Sequence, residues 1–250
     1  MTHSAATRAT FAGQRAVVTG ASSGIGRSIA LELGARGAAV WLVARRGPEL
    51  ERVADEIRRN GGSAQSCVAD LSRDDELRRF ALQLGAHGSG VDALVHCAGI
   101  HHLGPIAAAP LSELDDMYRV NVRAPYAITQ LLLPQLRASR GQVVFVNSTL
   151  GLQARAHVGA YAATKHALRA VADSLREEVN AVGIRVVSVY VGRTATPGQE
   201  AIHTAEGRPY APATLLQPSD VAEVVAQALA MPRTAEVTDI RVRPMQKPSA

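Results

Sequence analysis

A single doubly wound α/β domain, its seven-stranded parallel sheet flanked by helices on both faces, is the fold this sequence predicts. Three observations predict it. Short runs rich in β-branched residues alternate with longer stretches of helical period. That alternation gives parallel strands joined by right-handed crossovers. Several runs (AVVT, VVFVN, VVSVYV) are apolar throughout, as strands covered on both faces must be. The length, 250 residues of which 47% are hydrophobic, suffices for one sizeable core.

The elements follow in order. After residues 1–13, which read as a poorly ordered end, the first β-branched run is Arg15–Thr19, and a glycine-rich turn hands it to a helical stretch near Ile25–Arg36. Strand Ala38–Ala44 precedes a helix over Pro48–Asn60, and strand Ser63–Ala69 precedes one over Asp74–Ala86. Strand Asp92–His96 leads to a long helical pattern, Ser112–Ala138. Strand Gly141–Asn147 leads to another at Gly159–Val182. Strand Ile184–Tyr190, a helix over Ser219–Met231 and strand Val237–Val242 complete a domain spanning 14–243, with 244–250 as a tail. The segment Gly192–Pro218 has no strong period and is long for a connection in a compact domain. Following a strand's carboxyl end, it is expected to form a lid over a ligand.

Composition excludes several classes. Cys67 and Cys97 are the only cysteines, too few for a disulfide scaffold and suited to a reducing compartment. No apolar run reaches the ~18 residues of a spanning helix, and MTHSAATRATFAGQ lacks the apolar centre of a secretory signal. A cytoplasmic protein without a membrane partner is expected. The net charge is +5, but 25 of the 27 basic residues are arginines scattered among acidic ones. No basic stripe interleaved with aromatics suggests nucleic-acid binding.

Chemistry first surfaces after the first strand, in Thr19-Gly20-Ala21-Ser22-Ser23-Gly24-Ile25-Gly26. Gly20 permits a tight turn, Gly24 lets backbone N–H groups near a pyrophosphate, and Gly26 allows close packing of helix on sheet. With Ser22, Ser23 and Ile25 these glycines form a Rossmann-type dinucleotide loop at a helix N-terminus, whose free donors attract anions. Packing alone is the other use of such a turn. At the second strand's end, where a carboxylate would grip a ribose 2′-hydroxyl, stand Ala44, Arg45 and Arg46. Two guanidinium groups there suit a 2′-phosphate and predict NADP(H) over NAD(H). The competing reading makes them solvated helix-start residues.

Further on stands Tyr161-Ala162-Ala163-Thr164-Lys165. Residues four apart share a helix face, so phenol and ammonium can meet. A nearby cation is expected to draw the tyrosine pKa from ~10 toward neutrality, where it can exchange a proton with an alcohol or carbonyl. An ordinary surface pair would have the same spacing.

With these motifs together, the chain resembles the classical short-chain dehydrogenase/reductase family from about Gly13 to Val242. The resemblance rests on T-G-x3-G-I-G, the Tyr-x3-Lys pair, Ser148 in Asn147-Ser148-Thr149-Leu150-Gly151, and Asn121 in Arg119-Val120-Asn121-Val122. It implies that Tyr161 is the general acid in reduction and the base in oxidation. Lys165 lowers its pKa and holds the nicotinamide ribose, Ser148 polarises the substrate oxygen, and Asn121 holds a relay water. It further implies that Asp70 and Leu71 contact the adenine, Ala98 and Gly99 the adenosine ribose, and Gly192, Thr194 and Thr196 the carboxamide segment. The implied activity is an NADP(H)-dependent ketoreductase or alcohol dehydrogenase acting on a small molecule, assembled as a homotetramer or dimer through helices 112–138 and 159–182. A non-catalytic NADP-binding sensor or scaffold is the alternative.

Two departures from the family pattern stand out. His96-Cys97-Ala98-Gly99 replaces the common Asn-Asn-Ala-Gly, which alters hydrogen bonding there and leaves Cys97 as an oxidisable thiol. Val191-Gly192 replaces Pro-Gly. His96, Cys97, His101 and His102 lack the spacing of a metal site, so no metal is expected. His101, His102, Gln153, Arg155 and His157 are candidates to face a hydroxylated or anionic substrate.

Overall fold

Strand order decides where a ligand can sit. The computed structural model describes residues 10–88 and 90–245. Its strands are β1 (Arg15–Thr19), β2 (Ala39–Ala44), β3 (Ser63–Val68), β4 (Ala93–His96), β5 (Gln142–Ser148), β6 (Arg185–Val191) and β7 (Asp239–Val242). They pair in parallel in the order β3-β2-β1-β4-β5-β6-β7. The chain winds outward from β1 to one edge, crosses back to β4, and winds outward to the other. Winding reverses between β1 and β4, which opens a crevice beyond their carboxyl ends.

The helices are α1 (Gly24–Ala35), α2 (Gly47–Arg59), α3 (Asp74–Ala86), α4 (Leu111–Tyr118), α5 (Ala124–Ser139), α6 (Gly159–Val179), α7 (Pro197–Ala205) and α8 (Pro218–Ala230). Successive strand residues point to opposite faces, so each apolar run feeds two cores. Val18, Val40 and Leu42 pack with Ile29 and Leu33 of α1, Val53 and Ile57 of α2, and Val221 and Val225 of α8. Val17, Trp41 and Phe145 pack with Leu77 and Phe80 of α3, Ile128 and Leu132 of α5, and Leu168 of α6. Each fully buried aliphatic or aromatic side chain is worth roughly 1.5–3 kcal/mol over leaving it in water.

Three expectations change. The single helix foreseen at 112–138 is interrupted, because residues 119–123 form a π-helical turn between α4 and α5. Asn121 sits in that turn, with its amide bonded to groups outside the helix. The segment Gly192–Pro218 is not irregular throughout, since it contains α7. Thr196 caps that helix by accepting from the Gln199 N–H, and Pro197 starts it. Within the span 1–13 foreseen as a loose end, Phe11 is buried and donates its N–H to the Arg36 carbonyl. Residues 1–9 and 246–250 of the two foreseen ends lie outside the described residues.

Candidate active site

The glycine loop and β4 are locked together first. Thr19 Oγ1 accepts from the Cys97 and Ala98 N–H groups at 3.1 and 3.2 Å and donates to the Val95 carbonyl. This brings Gly20 so close to Ala98 that a Cβ on Gly20 would lie 2.8 Å from the Ala98 backbone, and Gly20 has φ +70°. A Cβ on Gly26 would collide with the Gly20 carbonyl oxygen. Only glycine fits at either position.

Beyond these strand ends lies a cleft of about 1100 Å³. The loop residues Gly20, Ser22, Ser23, Gly24, Ile25 and Gly26 line it, and so do Arg45 and Arg46 after β2. Arg46 Nη2 donates to Ser22 Oγ and Ser23 Oγ at 3.1 and 2.9 Å, so the exposed guanidinium is held over the loop. Ser23 makes no side-chain cap to α1, leaving that helix's first N–H groups for an anion. Asp70, Leu71, Ala98 and Gly99 form the wall beside β1, and Gly192, Thr194 and Thr196 the wall beyond β6. Asp70 Oδ1 accepts from both the N–H and the hydroxyl of Ser72.

At the other end stand Ser148, Tyr161 and Lys165, all facing the same cleft. Lys165 Nζ lies 5.7 Å from the Tyr161 ring centroid and donates to the Val146 carbonyl at 3.3 Å. Ser148 lies beside the Tyr161 hydroxyl, and its Oγ accepts from the Leu150 N–H. The wall segment between Ser148 and Tyr161 contributes Gln153 and Arg155. Asn121 stands apart, buried behind the cleft. Its Oδ1 accepts from the Ile100 N–H, and its Nδ2 donates to the Ile100 carbonyl and to Thr164 Oγ1.

Known proteins share this fold. The family model for short chain dehydrogenases matches residues 14–207. The chain belongs to that family. A short chain dehydrogenase of Pseudocercospora fijiensis is 35% identical over 204 residues, covering 79% of this chain and 66% of that one. A metagenomic short-chain oxidoreductase solved with NADP is 33% identical, with TM-score 0.82 over 95% of this chain and all of the other. An alcohol dehydrogenase of the archaeon Thermococcus sibiricus, solved with 5-hydroxy-NADP, gives TM-score 0.85 at 25% identity over 95% and 99% of the two chains. The protein is thus an oxidoreductase with the Rossmann-type fold of its family.

Electrostatics at the reacting end of this oxidoreductase depart from the sequence expectation. Burial pushes the Tyr161 phenol up to about 12, against the opposing influence of Ser148, and pulls Lys165 down to about 8. The low-dielectric surroundings penalise both charges. Tyr161 is therefore a phenol at neutral pH, the form that donates a proton. Burial likewise pushes the Cys97 thiol up to about 12, which keeps it protonated at neutral pH. His96 is buried too, bonded through Nε2 to Thr129 Oγ1 and stacked on Phe145. Among the described residues no three His, Cys, Asp or Glu side chains are grouped to hold a metal, and no helix is long and apolar enough to cross a membrane.

Sequence reasoning missed three supporting residues. Thr19 ties β1 to β4. Asn147 accepts from the Ser148 N–H at 2.7 Å and donates to the Lys165 carbonyl at 3.1 Å, fixing two site residues at once. Arg193 reaches the cleft from the strand end after β6. A polar residue closing an otherwise apolar strand was the available signal for Asn147.

Proposed function

We propose that this oxidoreductase interconverts a carbonyl and an alcohol on a small molecule, using NADP(H) in preference to NAD(H). The observation that carries the reading is Tyr161, with Ser148 and Lys165 beside it, at one end of a cleft whose other end is the glycine loop.

The residues present fit a dinucleotide. The cradle at Gly20 and Gly26 has no room for a Cβ, and Arg46 with Ser22 and Ser23 makes a donor cluster sized for a phosphate. In this reading the loop holds the pyrophosphate, and Arg45 and Arg46 hold the 2′-phosphate. Asp70 and Leu71 border the adenine, Ala98 and Gly99 the adjoining ribose. Gly192, Thr194 and Thr196 hold the carboxamide. When bound, NADPH supplies the hydride. Tyr161 donates its proton to the carbonyl oxygen, and Ser148 orients that oxygen. Lys165 holds the nicotinamide ribose, and Asn121, bonded to the Ile100 backbone and Thr164 Oγ1, holds a relay water beside it. The segment Gly192–Pro218 acts as a lid, and copies pair through the helical segments 112–138 and 159–182, the first of which exposes Tyr118 and Tyr126.

Removing one oxygen tests the reading. Tyr161→Phe should lower NADPH-dependent carbonyl reduction by about 100-fold or more, while NADPH affinity, followed by fluorescence titration, stays within a few-fold. Unchanged turnover in that variant sinks the assignment.

A further inference from the structure

The cleft wall is lined by five cationic side chains, Arg45, Arg46, Arg155, Lys165 and Arg193, and by a single carboxylate, Asp70. Three of the five have work in the proposed reading, Arg45 and Arg46 at the loop and Lys165 beside Tyr161. Arg155 and Arg193 do not. Both belong to the reacting end. Arg155 lies in the wall segment that joins Ser148 to Tyr161. Arg193 follows β6 by two residues, and the last residue of that strand, Val191, pairs with Ser148 across the sheet. Its backbone is held by the Leu216 N–H, which donates to the Arg193 carbonyl at 3.1 Å.

The Arg193 guanidinium is only partly paired. Nη2 lies 3.6 Å from Glu206 Oε2, an oxygen that Arg208 Nη1 approaches at the same distance. One carboxylate oxygen is thus shared by two guanidinium groups. The other terminal nitrogen, Nη1, is buried and has no hydrogen-bond partner. The Arg208 and Arg155 charges both act on Arg193, so three cations gather about the Glu206 carboxylate. A buried guanidinium donor left unpaired is costly, and a turn of this cleft-lining side chain toward the open space would let an oxyanion satisfy it.

We infer that the substrate carries an anionic group, a carboxylate or a phosphate, which accepts from Arg193 Nη1 and is faced by Arg155. This rests on the redox reading above and names the class of molecule it acts on. A carbonyl compound with an acidic group enters with its anion toward Arg193 and its oxygen toward Tyr161. The excess of positive charge along the wall also draws such molecules in.

Matched pairs test it, with NADPH consumption as the readout. One pair is a keto acid and its methyl ester, and the other is a phosphorylated ketone and its unphosphorylated parent. The wild type should favour the charged member of one pair by about 10-fold or more in kcat/KM, and whichever pair shows it identifies carboxylate or phosphate. In Arg193→Met that charged-to-neutral ratio should collapse toward one through KM. Arg193→Lys should restore part of it, because charge returns without the second donor. Equal use of both members by the wild type, or an equal loss for both in Arg193→Met, overturns the inference. Should no carbonyl be turned over, the redox reading falls instead. The anion site is then judged by calorimetric titration of the same acids, where binding unaffected by Arg193→Met overturns it.

Discussion

At the scale of single residues, nucleotide choice rests on three neighbouring side chains. Ala44 closes β2 as a buried residue where a carboxylate would meet a ribose hydroxyl. Arg46 is already fixed on Ser22 and Ser23, and Arg45 faces the same cleft. Ala44→Asp combined with Arg45→Ala inserts a repelling charge and removes an attracting one. Each charged hydrogen bond is worth roughly 1.5–3 kcal/mol, so the NADP-to-NAD ratio of kcat/KM should fall at least about 10-fold. Steady-state kinetics with both nucleotides measure it, and an unmoved ratio would show that the arginines hold no phosphate. This part of the site was legible because its residues adjoin in sequence. The Tyr161–Lys165 pair was legible too, because the helix repeat alone puts the two side chains on one face. Arg193 was not, because its meaning depends on Glu206 and Arg155, which only the folded chain brings near.

At the scale of elements, the strands and the long helices could be read from period. What could not was the break at 119–123, because Arg119–Arg123 contains neither glycine nor proline to mark it. The signal lay instead in Asn121, a buried amide whose partners, Ile100 and Thr164, lie 21 and 43 residues away. Helix α7 was overlooked although Thr196-Pro197-Gly198-Gln199 has the spacing of a capping box. His96 joins two elements, β4 and α5, through Thr129, and makes that junction sensitive to acid. Burial pulls its pKa from 6.5 to about 3. Below pH 6.5 the unfolded chain takes up a proton that the folded chain refuses. The neutral histidine's contribution is therefore intact above pH 6.5 and drains away as pH falls toward 3. Between pH 7 and pH 5 the loss amounts to roughly 2 kcal/mol. His96→Asn, which restores the amide common in the family, should remove that loss. Its melting temperature should then fall between pH 7 and pH 5 by several degrees less than that of the wild type, about 2–4 °C for each kcal/mol in a chain of this size. Equal shifts would show that His96 is not refusing the proton.

At the scale of the whole molecule, the doubly wound sheet concentrates its costs at one place. Strands buried on both faces carry the stability, and the carboxyl ends of β1, β4 and β5 hold groups that a fold selected for stability alone would not bury. Lys165 is the clearest of these, 5% exposed, with its ammonium on a single carbonyl and beside an aromatic ring. Its pKa falls from 10.5 to about 8 because burial disfavours the charge. The sign runs opposite to that of a paired lysine. Below pH 8 both states are protonated and the folded state bears the full penalty of a buried cation. Between pH 8 and 10.5 the folded lysine loses its proton first, so the penalty fades as pH rises. Lys165→Met keeps the length of the side chain and discards the charge. It should abolish turnover, yet raise the melting temperature at pH 7 by a few degrees, equivalent to roughly 1–3 kcal/mol. The gain should shrink by pH 9.5, below the range where Tyr161 begins to matter. Calorimetric scans of both proteins at the two pH values measure it. A variant less stable than the wild type at pH 7 would mean that the lysine is held for its bonds and not against its burial.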